Sequence, residues 1–325
     1  AYLRLGRFIE HVPDPVTTGF TAGIAVILGV ISLNDFLGMG LDMSHGHFPE
    51  KVALLARHLA DINPYAALVG IVTLALMIFG RRIIRLIPPT ILGIGAGIGL
   101  SLLFARNGHP IATIASQFHY VLPNGMSGAG IPPYPPHFGL PEIPDNWVPY
   151  LYPALIIALL AALESLLAAQ AADKMTGHRH HPNAELYAIG AGNIASGFFS
   201  GIPATGAIAR TAALINNGAT SPLASSMHAL FILLYVVLLA PLIGHIPMTT
   251  LAAILIQTAW RMSHAPHFWR ILRGHGYHKA GVLLATFGMT IAIDMVAGVA
   301  TGLILHFGFL FAIKNKSRPY SEDQR

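Results

Sequence analysis

The sequence predicts an all-α polytopic membrane protein, and three observations carry that prediction. Of 325 residues, 54% are hydrophobic and only 10% charged, and the mean hydropathy is +0.61, a balance far from that of a soluble domain. Ten apolar stretches of helical length can be drawn along the chain. The cations between those stretches are segregated in the way that the positive-inside rule demands of a multi-pass protein.

The stretches run over Val16–Leu37, Tyr65–Phe79, Pro89–Phe104, Pro149–Ala172, Ala184–Ser200, Ala204–Asn216, Pro222–Ile243, Pro247–Trp260, Ala280–Ala297 and Gly298–Ile313. Several fall short of the roughly 20 residues that a full crossing needs. Ala184–Ser200 and Ala204–Asn216 are parted only by Gly201, Ile202 and Pro203. That break reads as the junction of two half-length helices, with a tight turn between two complete helices as the alternative.

Two connections are long. Met39–Pro64 carries Lys51–Leu59, whose apolar residues recur at helical spacing and suit an amphipathic segment at the outer surface. Asn107–Trp147 is rich in Pro and Gly, with Pro132, Pro133, Pro135 and Pro136 around Tyr134, and reads as an extracellular loop with room for a small hairpin.

Fifteen of the 19 Lys and Arg residues fall on one side: Arg4, Arg7, Arg81, Arg82, Arg85, Lys174, Arg179, Arg261, Arg270, Arg273, Lys279, Lys314, Lys316, Arg318 and Arg325. The other side has Lys51, Arg57 and Arg106. This asymmetry places both termini in the cytoplasm. The net charge of +5 therefore reports topology and contact with anionic lipid, not nucleic acid. The absence of cysteine excludes a disulfide framework and a thiol nucleophile. No phosphate-binding loop is present, and His45-Gly46-His47 and His178-Arg179-His180-His181 lack the carboxylates of a metal site, so neither metal nor cofactor is expected. Gly93, Gly95, Gly97 and Gly99 lie within an apolar stretch, where they suit close helix packing rather than a nucleotide fold. The first residues resemble the end of an earlier helix, and the chain reads as an internal fragment.

The chemistry gathers at the break. Gly201 and Pro203 stop the preceding helix, and Pro203 is pre-set for the first position of the next. The amides of Ala204, Thr205, Gly206 and Ala207 then have no intrahelical partner, and with the helix dipole they favour a bound anion. Thr205 adds a hydroxyl, and Arg210 is a cation inside the membrane. Glu164, in the Pro149–Ala172 stretch, must pair, coordinate a cation or stay protonated there. Arg210 as a structural counter-ion to Glu164 is the competing reading. Asp294 suits a helix cap, and His228 and His306 suit packing more than a proton relay. Ser165 lies beside Glu164 with no partnering His on an evident shared face, so an enzyme is not expected.

Pro15–Ala25, Ala162–Leu167, Gly201–Thr211 and Gly218–Leu223 resemble the sulfate permease (SulP/SLC26) family of anion transporters from end to end. The resemblance implies a 7+7 inverted-repeat (UraA/SLC26-like) fold of two moving parts, a core and a gate. On that pattern residues 1–14 end family segment four, and 15–106 hold segments five to seven, the first part of the gate. Residues 107–148 form the extracellular loop, and 149–243 hold segments eight to eleven, half of the core. Residues 244–313 hold segments twelve to fourteen, and 314–325 a cytoplasmic tail. The first four segments and a C-terminal STAS domain would lie outside this chain.

Residue by residue, the resemblance puts the anion on Ala204, Thr205, Gly206 and Ala207, with Arg210 one turn deeper and Ser165 and Glu164 contributed by segment eight. Glu164 is the expected proton-coupling residue. Members that couple to sodium place Asp there and a hydroxyl one turn on, whereas this chain has Glu164 and Ala168. Gln117–Leu122 and Gly130-Ile131-Pro132 look most like bacterial C4-dicarboxylate transporters. The implied protein is a proton-coupled secondary transporter of C4-dicarboxylates in the bacterial inner membrane, a homodimer in contact with lipid. Sulfate or bicarbonate transport is the alternative, as is a channel-like or non-transporting module.

Overall fold

A computed structural model describes residues 12–84, 86–121, 125, 127–142, 144–274 and 276–316. The expected end of an earlier segment over residues 1–11, most of the polar tail (317–325) and Arg85 lie outside the described residues. A helix occupies each of the ten apolar stretches, though that in Ala204–Asn216 starts only at Ile208: α1 (Asp14–Leu37), α3 (Pro64–Ile83), α4 (Pro89–Arg106), α6 (Val148–Thr176), α7 (Pro182–Phe198), α8 (Ile208–Asn216), α9 (Leu223–Ile243), α10 (Met248–Met262), α12 (Tyr277–Ala292) and α13 (Met295–Lys316). The connections add α2 (Phe48–Arg57), α5 (Ile114–Gln117), α11 (Ala265–Arg273) and strands β1 (His119–Val121) and β2 (Ser127–Ala129). Among the described residues five helices are long and apolar enough to cross a membrane, namely α1, α3, α4, α6 and α9, and α13 contributes a shorter apolar run.

The described residues divide into two compact units, 132–240 and 13–131 with 241–316. In the second unit, α1 packs on α10 and α12, α3 on α4 and α10, and α12 on α13. Glycines let these helices approach. A Cβ on Gly19 would lie 2.7 Å from the Leu283 carbonyl oxygen, and one on Gly97 would collide with the Thr250 hydroxyl. Gly93 faces Thr73 and Met77, whereas Gly95 and Gly99 have nothing within 4 Å. The expected packing role thus belongs to the i, i+4 pair Gly93 and Gly97, which share one face of α4.

Threonines satisfy their hydroxyls inside these interfaces. Thr249 Oγ1 donates to the Ala66 carbonyl at 3.0 Å, and the Thr73 and Thr250 hydroxyls are 3.3 Å apart. Both contacts join different helices, which favours them where no water competes. Apolar side chains fill the rest, with Phe36 against Ala252 and Ala253, and Val69 against Ala66 and Ile111.

Local chemistry explains most helix ends. Asn63 Oδ1 accepts from the Tyr65 and Ala66 amides, and Pro64 opens α3. At the end of α1, Gly38 adopts the left-handed conformation (φ 64°), its amide bonding to Asp35 O while the Met39 amide bonds to Asn34 O. One boundary differs from the sequence reading. The last two helices part at Ile293–Asp294, not at Ala297–Gly298, because Asp294 Oδ1 accepts from the Val296 and Ala297 amides at 2.8 and 2.7 Å and starts α13 there.

The loop after α4 forms the hairpin β1–β2, antiparallel with Tyr120 opposite Gly128. It is anchored through Ile114 N to Ile246 O (3.0 Å) and Met248 N to Ala112 O (2.8 Å). In the first unit, α6 packs against α7 and α8. The faces of α9 in this unit are largely exposed, including Leu230, Phe231 and Tyr235.

Candidate functional site

The break lies in the first unit and differs from its sequence reading in one respect. Helix α7 ends at Phe198 and α8 begins only at Ile208, so residues 201–207 lie outside any helix and Pro203 does not open the new one. The cause lies in how α7 terminates. The Gly201 amide reaches back to Ser196 O (2.8 Å) and the Ser200 amide to Gly197 O (3.2 Å), a closure that uses two carbonyls of the last turn and needs one left-handed residue. That residue is Ser200 (φ 55°), not Gly201.

The non-helical segment is then held by side chains. Asn193 brackets Ala204 from both sides, accepting from its amide at 2.6 Å and donating to its carbonyl at 2.9 Å. Ser196 Oγ donates to Ile202 O at 3.2 Å. On the α6 side, the Gly206 amide donates to Ser165 Oγ (2.9 Å), Ser165 and Thr205 hydroxyls are 3.0 Å apart, and Thr205 Oγ1 donates to Ala161 O (2.9 Å). A hydroxyl has one proton. Since Thr205 gives its own to Ala161, Ser165 must give its own to Thr205, and the bonds run one way from Gly206 N–H through Ser165 and Thr205 to Ala161.

Ala161, Ser165 and Ala168 share the face of α6 that meets this segment. A Cβ on Gly206 would stand 3.2 Å from Ser165 Cα and 3.4 Å from Ala168 Cβ, so the chain passes α6 in close contact. Ser165 and Ala168 are buried and Glu164 is half-buried.

The free amides move accordingly. The sequence reading placed them on Ala204, Thr205, Gly206 and Ala207, but the amides of Ala204 and Gly206 are occupied by Asn193 and Ser165. The first intrahelical bond of α8 runs from Thr211 N to Ala207 O, and no side chain caps the helix. The amides from Ala207 to Arg210 are therefore the ones without an intrahelical acceptor. They carry the positive end of the helix dipole, and Arg210 sits at the end of that same first turn with its side chain exposed. Among the described residues Arg210 forms no ion pair with Glu164.

The structure thus brings Ser165, Thr205, Gly206 and Ala207 together, and sets Arg210 after them. Ala204 is turned to Asn193, and Glu164 is the chain neighbour of Ser165, with no bond to the group among the described residues. Sequence reasoning missed Asn193, Ser196 and Ala161. Asn193 was findable, because an amide in the middle of the Ala184–Ser200 run needs a partner in the membrane. The histidine tract makes a local tie, with His180 Nδ1 2.8 Å from Asp173 Oδ2.

The sequence profile of the Sulfate permease family matches residues 2–285. A protein of Bacillus subtilis described as the putative sulfate transporter YvdB is 36% identical over 94% of this chain and 56% of its own length. The bicarbonate transporter BicA of Synechocystis is 26% identical over 93% of this chain and 51% of its own. Among solved structures, the transmembrane domain of a cyanobacterial bicarbonate transporter BicA matches with a TM-score of 0.72 at 23% identity, covering 92% of this chain and 71% of that one. The structure of SLC26A9 matches with a TM-score of 0.76 at 14% identity, covering 94% and 47%. At these identities the two structures show the fold. The chain spans about half the length of the curated relatives it matches. With the profile running over most of the chain and a relative this similar, the chain belongs to the sulfate permease family.

Proposed function

We propose that the chain supplies the anion site and the gate of a secondary active anion transporter, with the unit of residues 132–240 as part of the moving core and the unit of residues 13–131 and 241–325 as the gate. The observation that carries this reading is the first turn of α8. Its free amides lie next to the Ser165–Thr205 hydroxyls and one cation. Such a turn in an apolar unit stabilises an anion with backbone dipoles and one mobile charge, and needs no metal or cofactor. The occupied amides of Ala204 and Gly206 have a different part in this reading. They fix the path of the chain, so that the following turn is presented in one orientation.

For the substrate we put a small inorganic oxyanion first, sulfate or bicarbonate, the anions named for the relatives. A C4-dicarboxylate is the second reading. It rests on the Gln117–Leu122 and Gly130–Pro132 resemblance, and that loop forms its hairpin within the second unit, Gly130 N bonding to Phe118 O at 2.7 Å. The contacts that shape the α8 turn are all made within the first unit.

Glu164 is the residue we assign to proton coupling. It is a carboxylate beside Ser165 in a membrane-length helix, and an acid so placed changes charge only by taking or losing a proton or a cation. The assembled protein in this reading is a homodimer in a bacterial inner membrane.

Labelled-sulfate uptake by cells expressing the protein, in competition with bicarbonate, succinate and fumarate, tests the reading. Bicarbonate competes and the dicarboxylates do not if the inorganic-oxyanion assignment holds; competition by succinate alone replaces it with the second reading, and no saturable uptake of any of them removes the transport proposal. Glu164→Gln keeps size while fixing the neutral form, so exchange of internal for external anion persists while accumulation loses its dependence on the pH gradient. Wild-type pH dependence in that variant removes Glu164 from the coupling step.

A further inference from the structure

Helix α11 has two unlike faces. On one, His267 Nε2 lies 2.9 Å from Asp14 Oδ2, and the Phe268 ring packs edge-on against Phe287 of α12 with centroids 5.3 Å apart. On the other, Pro266, Trp269, Arg270, Arg273 and Gly274 line an open cavity of about 460 Å³. These positions follow the i, i+3, i+4, i+7 spacing of a single helix face. Trp269 is 51% exposed, and the Arg273 guanidinium lies over its ring, 5.4 Å from the centroid. Among the described residues neither arginine is ion-paired.

The contact with Asp14 sets the depth of this face. Asp14 is the first residue of α1, a 24-residue helix apolar enough to cross the bilayer, so its N-terminal end marks where the chain leaves the hydrocarbon. A helix bonded to that residue lies at headgroup level. Water alone gives no reason to expose an indole, and hydrocarbon excludes two guanidinium groups. The interface accommodates both on one face.

We propose that the outer face of α11 is a binding site for an anionic phospholipid headgroup. Arg270 and Arg273 hold the phosphate, and Trp269 beds in the glycerol layer. Arginine suits this better than lysine, because its planar fork binds two phosphate oxygens at once. The stacking of Arg273 on Trp269 pre-orients one fork before lipid arrives. The site belongs wholly to the second unit and does not depend on which anion, if any, the protein carries.

The chain has three tryptophans, so Trp147→Phe with Trp260→Phe leaves Trp269 as the reporter. The protein is placed in phosphatidylcholine nanodiscs containing a minority of phosphatidylglycerol, with either lipid brominated near its headgroup in turn, and quenching of Trp269 is read. We expect phosphatidylglycerol to quench several-fold more strongly per molecule than phosphatidylcholine, with roughly a fivefold loss of preference for each arginine replaced by glutamine. In Arg270→Gln/Arg273→Gln, quenching by phosphatidylcholine should persist, which shows that the helix is still folded at the interface. Equal quenching by the two lipids in the unsubstituted face overturns the proposal, since charge is then not read. Abolition of the preference by millimolar inorganic phosphate also overturns it, in favour of a free-anion site. No quenching by either lipid overturns it too, and shows the face covered by another protein surface such as a second copy of the chain.

Discussion

In α4 of the second unit, Gly93 and Gly97 face neighbouring helices so closely that an added Cβ on Gly97 would strike Thr250. In the first unit, the small residues Gly201, Ala204, Gly206 and Ala207 leave the helix altogether, and side chains take up part of the freed backbone: Asn193 binds both polar groups of Ala204, Ser196 the carbonyl of Ile202, and Ser165 the amide of Gly206. The same residue types that bring backbones together in one unit lay a backbone open in the other. What separates them is the neighbouring polar set. Thr73, Thr249 and Thr250 turn their hydroxyls to partners between helices that remain intact. Around the break, Asn193 and Ser165 bind the backbone itself and compete with helix formation until Ile208.

The comparison breaks most visibly at Arg210. Arg210→Gln should weaken anion binding by about ten- to a hundredfold, the range of a hydrogen bond to a charged group, with Arg210→Lys between it and wild type and thermal stability little changed in both. A fall in stability with unchanged affinity would make Arg210 a structural residue. Next in size is the packed unit. Gly97→Val should cost about 1–3 kcal/mol of stability through overpacking, read as a lower unfolding midpoint, while the affinity of the folded protein stays as it was. Its control is Gly95→Ala, where nothing lies within 4 Å, and where stability should be unchanged or rise by no more than about 1 kcal/mol. If the two glycines respond alike, close approach is not what α4 uses them for. The smallest effect is expected at Ser200. A non-glycine residue at φ 55° is strained by roughly 1 kcal/mol, so Ser200→Gly should raise stability by up to about that amount. Loss of stability would mean that the hydroxyl, not the conformation, is what position 200 supplies.

Much of this was legible in the residues. Every apolar stretch holds a helix, Ala204–Asn216 only from Ile208, because length and hydropathy decide that much in a chain of this composition. The charged segment Lys51–Leu59 was recognisable as amphipathic, and most of it forms α2. The break was legible too, from Gly201 and Pro203. Its extent was not, because proline's fixed φ favours a helix start only when the next residues are free to take helical angles. Asn193 is eleven positions from Ala204, and Ser165 is 41 from Gly206, so both restraints are invisible to local propensity. For the same reason the sequence assigned the free amides about three residues too early. Asp294 shows the converse. A short acidic side chain acting on amides two and three residues ahead is a local effect, and its capping role could be read directly.

In the proposed site the first turn of α8, not the non-helical segment before it, receives the anion. Amide hydrogen exchange over the peptide covering residues 201–216, with and without saturating sulfate, bicarbonate or succinate, tests this most directly. Exchange should slow at Ala207–Arg210 with the transported anion, with no change at Ala204 and Gly206, whose amides are already bonded, and none across α4. Protection that is confined to Ala204–Gly206, or absent from α8 with all three anions, would contradict it.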